Sequence, residues 1–107
     1  MNKISSVSPQ FKARTIINNP DKLLLKSDVA HLEKIGERIG LGYDTINFSI
    51  RKMKDSVKIA YDARFTNPNS ELKINNIKDA PLEANHFAFI RETLNYIKNL
   101  YSSTIGG

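Results

Sequence analysis

The chain has 107 residues, a net charge of +5 at neutral pH and no cysteine. Its length suits a single domain, and its apolar fraction of 40% is too high for a chain that is disordered throughout. The lack of cysteine excludes thiol nucleophiles, cysteine-ligated metals and disulfides. No apolar run approaches the roughly 18 residues that a membrane span needs, so we expect a soluble, cytoplasmic protein with no membrane partner.

The first 19 residues are predicted to form a flexible, basic N-terminal arm, which precedes a single α+β domain at 20–107. The first half of the arm carries serines and a proline but no hydrophobic period. Five basic residues and one acidic residue lie within 1–26, whereas the rest of the chain holds 11 basic and 10 acidic residues. Such an arm can be attracted to phosphates. Phe11, Ile16 and Ile17 leave a second interpretation open, in which 11–26 packs on the core and the later part of the arm forms an edge strand or a packed extended segment.

Two segments have apolar residues at the three- and four-residue spacing of an amphipathic helix. The first spans 27–39, with Ser27 as its expected cap and Gly40 as its expected left-handed stop. The second spans 82–101 and is the longer and more regular of the two. Its apolar stripe predicts packing across a sheet. The Asn-Pro-Asp segment at 19–21 carries a further, shorter helix-start signal.

Alternation of apolar and polar residues predicts three strands, at 45–51, 57–65 and 72–75. The middle run alternates over nine residues and is the strongest strand signal in the chain. Turn-forming residues separate the strands at 52–56 and 66–70. Consecutive strands joined by short turns imply an antiparallel meander with one apolar face and one polar face.

The predicted fold is therefore a two-layer α+β domain, in which a helix, a three-stranded antiparallel meander and a second helix follow one another. An all-α three-helix bundle is the alternative, because several apolar residues within 43–65 also recur at three and four positions. We favour strands because the helical pattern leaves Phe48 and Ile59 on the wrong face. The segment is also rich in β-branched residues.

The residue types that carry out catalysis are few and scattered in this sequence. The two histidines, His31 and His86, lie on separate predicted helices, and no His-x-x-x-His spacing indicates a metal site. Gly36, Gly40 and Gly42 lack the Lys-Ser/Thr of a phosphate-binding loop and the strand that precedes a dinucleotide-binding loop. We therefore predict no catalytic residue, no cofactor and no metal, and we do not expect an enzyme whose whole active site lies in this chain.

Basic residues form the one positive feature that points to a class of ligand. They cluster around the turn between the first two predicted strands, where Asp55 is the opposing charge. Alternation places Arg51 and Lys58 on the polar face of the sheet, with Arg64 and Lys73 on the same side. Charged turns also keep strand edges soluble and unpaired, and no aromatic residue for base stacking is expected on this face. The candidate phosphate-binding residues are Lys12, Arg14, Arg51, Lys52, Lys54 and Lys58.

The order of helix, three strands and helix resembles that of double-stranded-RNA-binding domains, which share a basic balance. The chain lacks their Gly-Pro-x-His loop and the Lys-Lys-x-Ala-Lys start of their second helix. The segments 46–50 and 57–59 resemble the first two strands of FlaG-like flagellar proteins, but 72–76 replaces the Ile-Arg-x-Ile-Pro segment of that family. No functional residue is carried over from either family.

These observations favour a small, non-enzymatic binding or accessory protein that acts through a macromolecular partner, most simply another protein. Binding of a nucleic-acid phosphate backbone through the basic arm and the first hairpin is the alternative. A homo-oligomer also stays open, because Phe89 and Tyr96 are expected to leave an apolar patch on the outer surface of the last helix.

Overall fold

The computed structural model describes residues 12–67 and 70–106. These residues form four strands and two α-helices, followed by a π-helical turn at Ser102–Gly106. Neither α-helix has the length and apolar composition that crossing a membrane would require. In chain order the elements are β1 (Arg14–Asn18), α1 (Lys26–Glu37), β2 (Thr45–Lys52), β3 (Ser56–Asn67), β4 (Ser70–Pro81) and α2 (His86–Tyr101).

The four strands form one mixed sheet in the order β1-β2-β3-β4. The pairs β2–β3 and β3–β4 are antiparallel, which confirms the predicted meander, whereas β1 runs parallel to β2. Parallel neighbours need a crossover connection, and α1 supplies it between the end of β1 and the start of β2. The alternative of an all-α three-helix bundle is wrong, because the ambiguous segment at 43–65 contains β2 and β3, which pair with each other over 45–52 and 57–64.

Both helices pack on the same face of the sheet and enclose a single core with it. The inner face of the sheet presents every second strand residue, as the predicted alternation requires. The helices contribute the apolar stripes that the spacing predicted. Fully buried side chains include Ile46, Phe48 and Ile50 of β2, Val57, Ile59 and Phe65 of β3, Leu32 of α1, and Ile90, Leu94 and Ile97 of α2.

The main difference from the predicted fold is the fourth strand. Residues 14–18 belong to the segment that was predicted to be an arm, yet they form β1, in which Thr15 and Ile17 are buried. This strand is short and its parallel partner lies beyond a whole helix, so its pairing has no local signal. Residues 1–11 of the predicted arm lie outside the described residues. At the other edge, β4 extends past its predicted end at 75 to Pro81.

The helices begin at different residues from those predicted. Ser27 is not the cap of α1, because the helix already begins at Lys26 and its capping position is held by Leu25 without a side-chain hydrogen bond. The start of α2 is decided by Asn85, whose Oδ1 accepts a hydrogen bond from the Ala88 amide at 3.0 Å. The predicted start at 82 therefore lies in the preceding turn.

Two turn residues also have roles other than the predicted ones. The Asn-Pro-Asp segment opens no helix; Asn19 Oδ1 instead accepts the Leu23 amide at 2.9 Å, which fixes the turn before α1. The left-handed residue of this turn is Lys22, with φ of 54°. Gly40 does not end α1 in a left-handed conformation; it lies past the helix, where a Cβ would lie 2.9 Å from the Phe65 ring. Glycine at 40 is therefore required by close packing.

Candidate binding surface on the open face of the sheet

The helical layer covers one face of the sheet, and no element within residues 12–67 and 70–106 covers the other face. We call this second face the open face. A depression with a volume of about 710 Å³ lies at its centre and crosses all four strands. The open face consists of Arg14, Ile16 and Asn18 from β1, Thr45, Asn47, Ser49 and Arg51 from β2, Lys58, Ala60, Asp62 and Arg64 from β3, and Glu71, Lys73, Asn75, Ile77 and Asp79 from β4.

Strand register aligns the open-face side chains in rows that cross the sheet. Two of these rows carry most of the basic residues, one near the start of β2 and the other near the β2–β3 turn. They are six residues apart along each strand, which corresponds to about 20 Å at ~3.3 Å per residue. Arg14, Thr45, Arg64 and Lys73 form the first row, and Arg51, Lys58 and Asp79 form the second.

The six predicted phosphate-binding residues are exposed, but they do not form one patch. Four of them surround the β2–β3 turn, where Arg51 and Lys58 are direct cross-strand partners. The other two lie at the start of β1, at the opposite end of the sheet. Lys52 and Lys54 of the first group and Lys12 of the second lie at the margin of the open face. The turn group is Arg51, Lys52, Lys54 and Lys58, and the β1 group is Lys12 and Arg14.

Acidic groups offset part of the positive charge at each end. Arg64 Nε lies 2.7 Å from Glu71 Oε2, and both side chains are exposed. At the other end, Asp21 Oδ2 accepts the Lys52 amide at 2.7 Å, and Asp79 stands opposite Lys58 in register. Exposed charge pairs of this kind are screened by water and salt and are weak. The excess of basic side chains at the two ends of the open face is therefore available to a polyanion at low ionic strength.

The centre of the open face is polar and carries little charge. Asn47 Nδ2 donates to Asp62 Oδ1 at 3.3 Å, and Asn18 and Asn75 lie nearby in the same depression. Side-chain amides offer both donors and acceptors, so this centre can bind polar groups of either kind. Sequence reasoning missed Asn18 because β1 was assigned to the arm. The sequence at 13–18 does not alternate between polar and apolar residues, and the adjacent β-branched residues Thr15, Ile16 and Ile17 were the available strand signal.

A second depression, of about 390 Å³, lies on the helical side between α2 and β4. The exposed apolar side chains expected on the last helix form part of it: Phe89 is partly buried, whereas Tyr96 is 52% exposed. It exists because α2 covers the inner face of β3 and leaves the second half of β4 uncovered there. We call this depression the β4 groove. Its lining comprises Tyr61, Asn76, Lys78, Phe89, Glu92, Thr93 and Tyr96.

The titratable residues of the described segments are dispersed. No group of three or more His, Asp or Glu side chains within 12–67 and 70–106 is arranged to hold a metal ion. His31 is exposed and stacks on Phe87, with ring centroids 5.9 Å apart. His86 is buried, and its Nε2 lies 3.3 Å from the Leu82 carbonyl oxygen. The pKa of Tyr101 is raised, chiefly because burial disfavours the phenolate.

Fold and site together define a two-layer α+β domain in which a mixed four-stranded sheet presents one uncovered polar face. Comparison of the chain with protein-family models, with curated proteins and with solved structures found no match.

Proposed function

We propose that this protein is a non-enzymatic binding protein that acts through a macromolecular partner, and that another protein docks on the open face of its sheet. The observation that carries the proposal is the uncovered face itself. A four-stranded sheet exposes the apolar side chains Ile16 (43% exposed) and Ile77 (63% exposed) at opposite edges of one polar depression. Non-obligate protein contact surfaces are, taken as a whole, about as apolar as the rest of a protein's surface, so a largely polar face with two exposed isoleucines is suited to docking a protein.

The shape of this surface favours a large partner over a small ligand. Pockets for small molecules bury most of their ligand in a concave, largely apolar site. The depression here lies across a sheet, and its floor includes the small side chains of Ser49 and Ala60 flanked by amides. A partner that spans the depression reaches the basic rows at both ends, so its contact area extends over the whole face.

The test introduces a negative and, separately, a positive side chain at one position of the open face. Ala60 lies at the centre of the open face on β3, and either Ala60→Glu or Ala60→Arg fills the depression without touching the core. Ala30 is exposed on α1, on the other side of the sheet, so Ala30→Glu and Ala30→Arg are matched controls. Each variant is immobilised, and capture of proteins from the host lysate is quantified against wild type.

The expected result is a protein that wild type and both Ala30 variants capture and that neither Ala60 variant retains. Loss is expected with both charges because the added side chain blocks the surface by its volume. Capture that is unchanged by Ala60→Glu and Ala60→Arg would exclude the open face as the docking surface.

A second candidate function is binding of a nucleic-acid phosphate backbone. The observation that favours it is the register of the turn group, in which Arg51 and Lys58 stand side by side on the open face with Lys52 and Lys54 at the adjoining turn. Four basic side chains within one turn suit consecutive phosphates. The row that contains Arg14 provides a second contact region. It lies six strand residues from the turn group, which corresponds to about 20 Å at ~3.3 Å per residue.

The same Ala60 variants separate the two functions. A bound polyanion is weakened by Ala60→Glu but retained or strengthened by Ala60→Arg, whereas a docked protein is lost with both. Binding of mixed-sequence DNA and RNA is measured at low and at physiological salt. Affinity that falls steeply with salt supports phosphate binding, and the absence of binding at low salt excludes it.

A further inference from the structure

We propose that β4 is a subunit interface, at which the β4 strands of two copies of this chain pair antiparallel about a two-fold axis at Asn76 and join the two sheets into one. The proposal concerns the edge of the sheet and does not rest on the function proposed for the open face. Three features support it: the state of the backbone edge of β4, the exposed apolar side chains of β4 and α2 on the two sides of this edge, and the order of the charges along β4.

The two edges of the sheet differ in how their backbone amides are occupied. At the β1 edge, the outward amide of Ile17 donates to Glu33 Oε2 of α1 at 3.2 Å, so a tertiary contact closes this edge. At the β4 edge, the outward amide of Ile77 donates to Oδ1 of the adjacent Asn76 at 2.8 Å. A neighbouring side chain is displaced by a local rotation, whereas Glu33 is held by its helix. The twelve-residue β4 is therefore the edge that can accept another strand.

An apolar side chain is exposed on each face of the sheet at this edge, one from β4 itself and one from α2 beside it. Ile77 is 63% exposed on the open face, and Tyr96 is 52% exposed beside the β4 groove on the helical face. A two-fold axis perpendicular to the sheet keeps both helical layers on the same side. The β4 grooves of the two copies then meet across the paired strands, and Phe89 and Tyr96 of each copy lie over the seam.

In one antiparallel register, the charges along β4 are complementary to the charges along β4 of a second copy. Pairing about Asn76 places Asn75 opposite Ile77 of the second copy and Lys73 opposite Asp79 of the second copy. Because the axis is two-fold, the Lys–Asp pair occurs twice. Neither Lys73 nor Asp79 forms an ion pair within the described part of its own chain. The outward backbone groups of 73, 75, 77 and 79 exchange hydrogen bonds in this register, since antiparallel ladders use alternate residues.

The test reverses the charges one at a time and then together. Wild type is expected to have about twice the 12.1 kDa mass of one chain by light scattering. Lys73→Asp alone and Asp79→Lys alone replace two attractive pairs by two repulsive ones, and each is expected to raise the dimer dissociation constant about tenfold or more. Mixing the two variants restores both pairs in a heterodimer, and so does the double variant in a homodimer. Lys26→Asp, on α1 far from β4, is the control with the same charge change.

Amide hydrogen exchange gives a second readout that does not depend on the variants. In the dimer the outward amides of Asn75 and Ile77 are protected, and their protection falls on dilution. A wild-type protein that stays monomeric up to about 1 mM, a concentration that reveals even weak association, overturns the proposal. A dimer that neither charge reversal weakens, or whose β4 amides exchange as in the monomer, overturns it as well.

Discussion

Gly36 of α1 lies directly against Thr15 of β1. A Cβ at residue 36 would stand 2.5 Å from Thr15 Oγ1 and 2.6 Å from its Cγ2, closer than side chains pack. The glycine weakens the helix by about 1 kcal/mol relative to alanine. It permits the close approach that packs the crossover helix on β1, and this contact helps to hold β1 in the sheet.

We expect Gly36→Ala to destabilise the protein by about 1 kcal/mol, because an overpacking cost of roughly 1–3 kcal/mol exceeds the gain in helix propensity. The free energy of unfolding is measured by urea denaturation. The penalty should shrink in a Thr15→Ala background, which removes the two nearest atoms. A Gly36→Ala protein that is as stable as wild type would contradict the close packing of α1 on β1.

Thr15 itself carries a buried hydroxyl, and Oγ1 has no hydrogen-bond partner among the described residues. Replacing it by a methyl group of similar shape removes an unsatisfied polar atom, so Thr15→Val is expected to raise the free energy of unfolding by about 1 kcal/mol. Thr15→Ser keeps the hydroxyl and loses the methyl group, and it is expected to lower stability. Urea denaturation of the two variants should therefore give changes of opposite sign.

Asp44 fastens the loop after α1 to the end of β3. It is buried, its Oδ2 accepts the Leu41 amide at 2.6 Å, and its Oδ1 accepts the Thr66 amide at 2.9 Å. Asp44→Ala leaves two backbone donors without their acceptor, which should cost about 2–4 kcal/mol at roughly 1–2 kcal/mol each. Asp44→Asn keeps one acceptor oxygen and should cost about half as much. Equal stability of both variants and wild type would rule out this role.

Alkaline stability is expected to depend on Tyr101. Burial, and then the charges of Asp44 and Tyr43, raise the pKa of Tyr101 above the usual 10.0. The folded state therefore retains the phenolic proton more firmly than the unfolded state. This stabilisation is present below pH 10.0 and is lost as the pH rises through the raised pKa. Tyr101→Phe should lose less thermal stability than wild type between about pH 8 and about pH 11. A Tyr101→Phe protein whose stability depends on pH as that of wild type does would rule out this role for Tyr101.

If the protein binds nucleic acid, the two basic regions should contribute separately. Each phosphate contact changes the slope of log affinity against log salt by about 0.9 for duplex DNA. Neutralising the turn group to glutamine should therefore flatten the slope, and so should Lys12→Gln with Arg14→Gln. Sites this far apart act independently, so the combined variant should show the sum of the two changes. If neither set of glutamine substitutions changed this slope, the two basic regions would not be contacts for the nucleic acid.

The predicted meander was correct because its information is local. Alternation at 45–51 and 57–65 describes one apolar face, and short turns leave antiparallel pairing as the simplest connection. The length of β4 was underestimated because its second half alternates poorly: Asn76 and Lys78 occupy inner-face positions that α2 leaves uncovered. The second half of β4 is nevertheless a strand because it pairs with β3.

The candidate surface was predicted in part. Alternation alone placed Arg51, Lys58, Arg64 and Lys73 on one face of the sheet, as the structure has them. Sequence could not show that the β1 group lies at the far end of that face, because this depends on the parallel register between β1 and β2.

By itself, the sequence determined the α+β class, the two amphipathic helices and the antiparallel meander, because helical and strand periods are properties of neighbouring residues. Only the tertiary structure decided that Arg14–Asn18 joins the sheet, that Gly36 is needed against Thr15, and that the described part of the chain leaves one face and one long edge of the sheet uncovered. The physical reason is that each of these features depends on contacts between segments far apart in the chain, and such contacts leave no periodic trace in either segment.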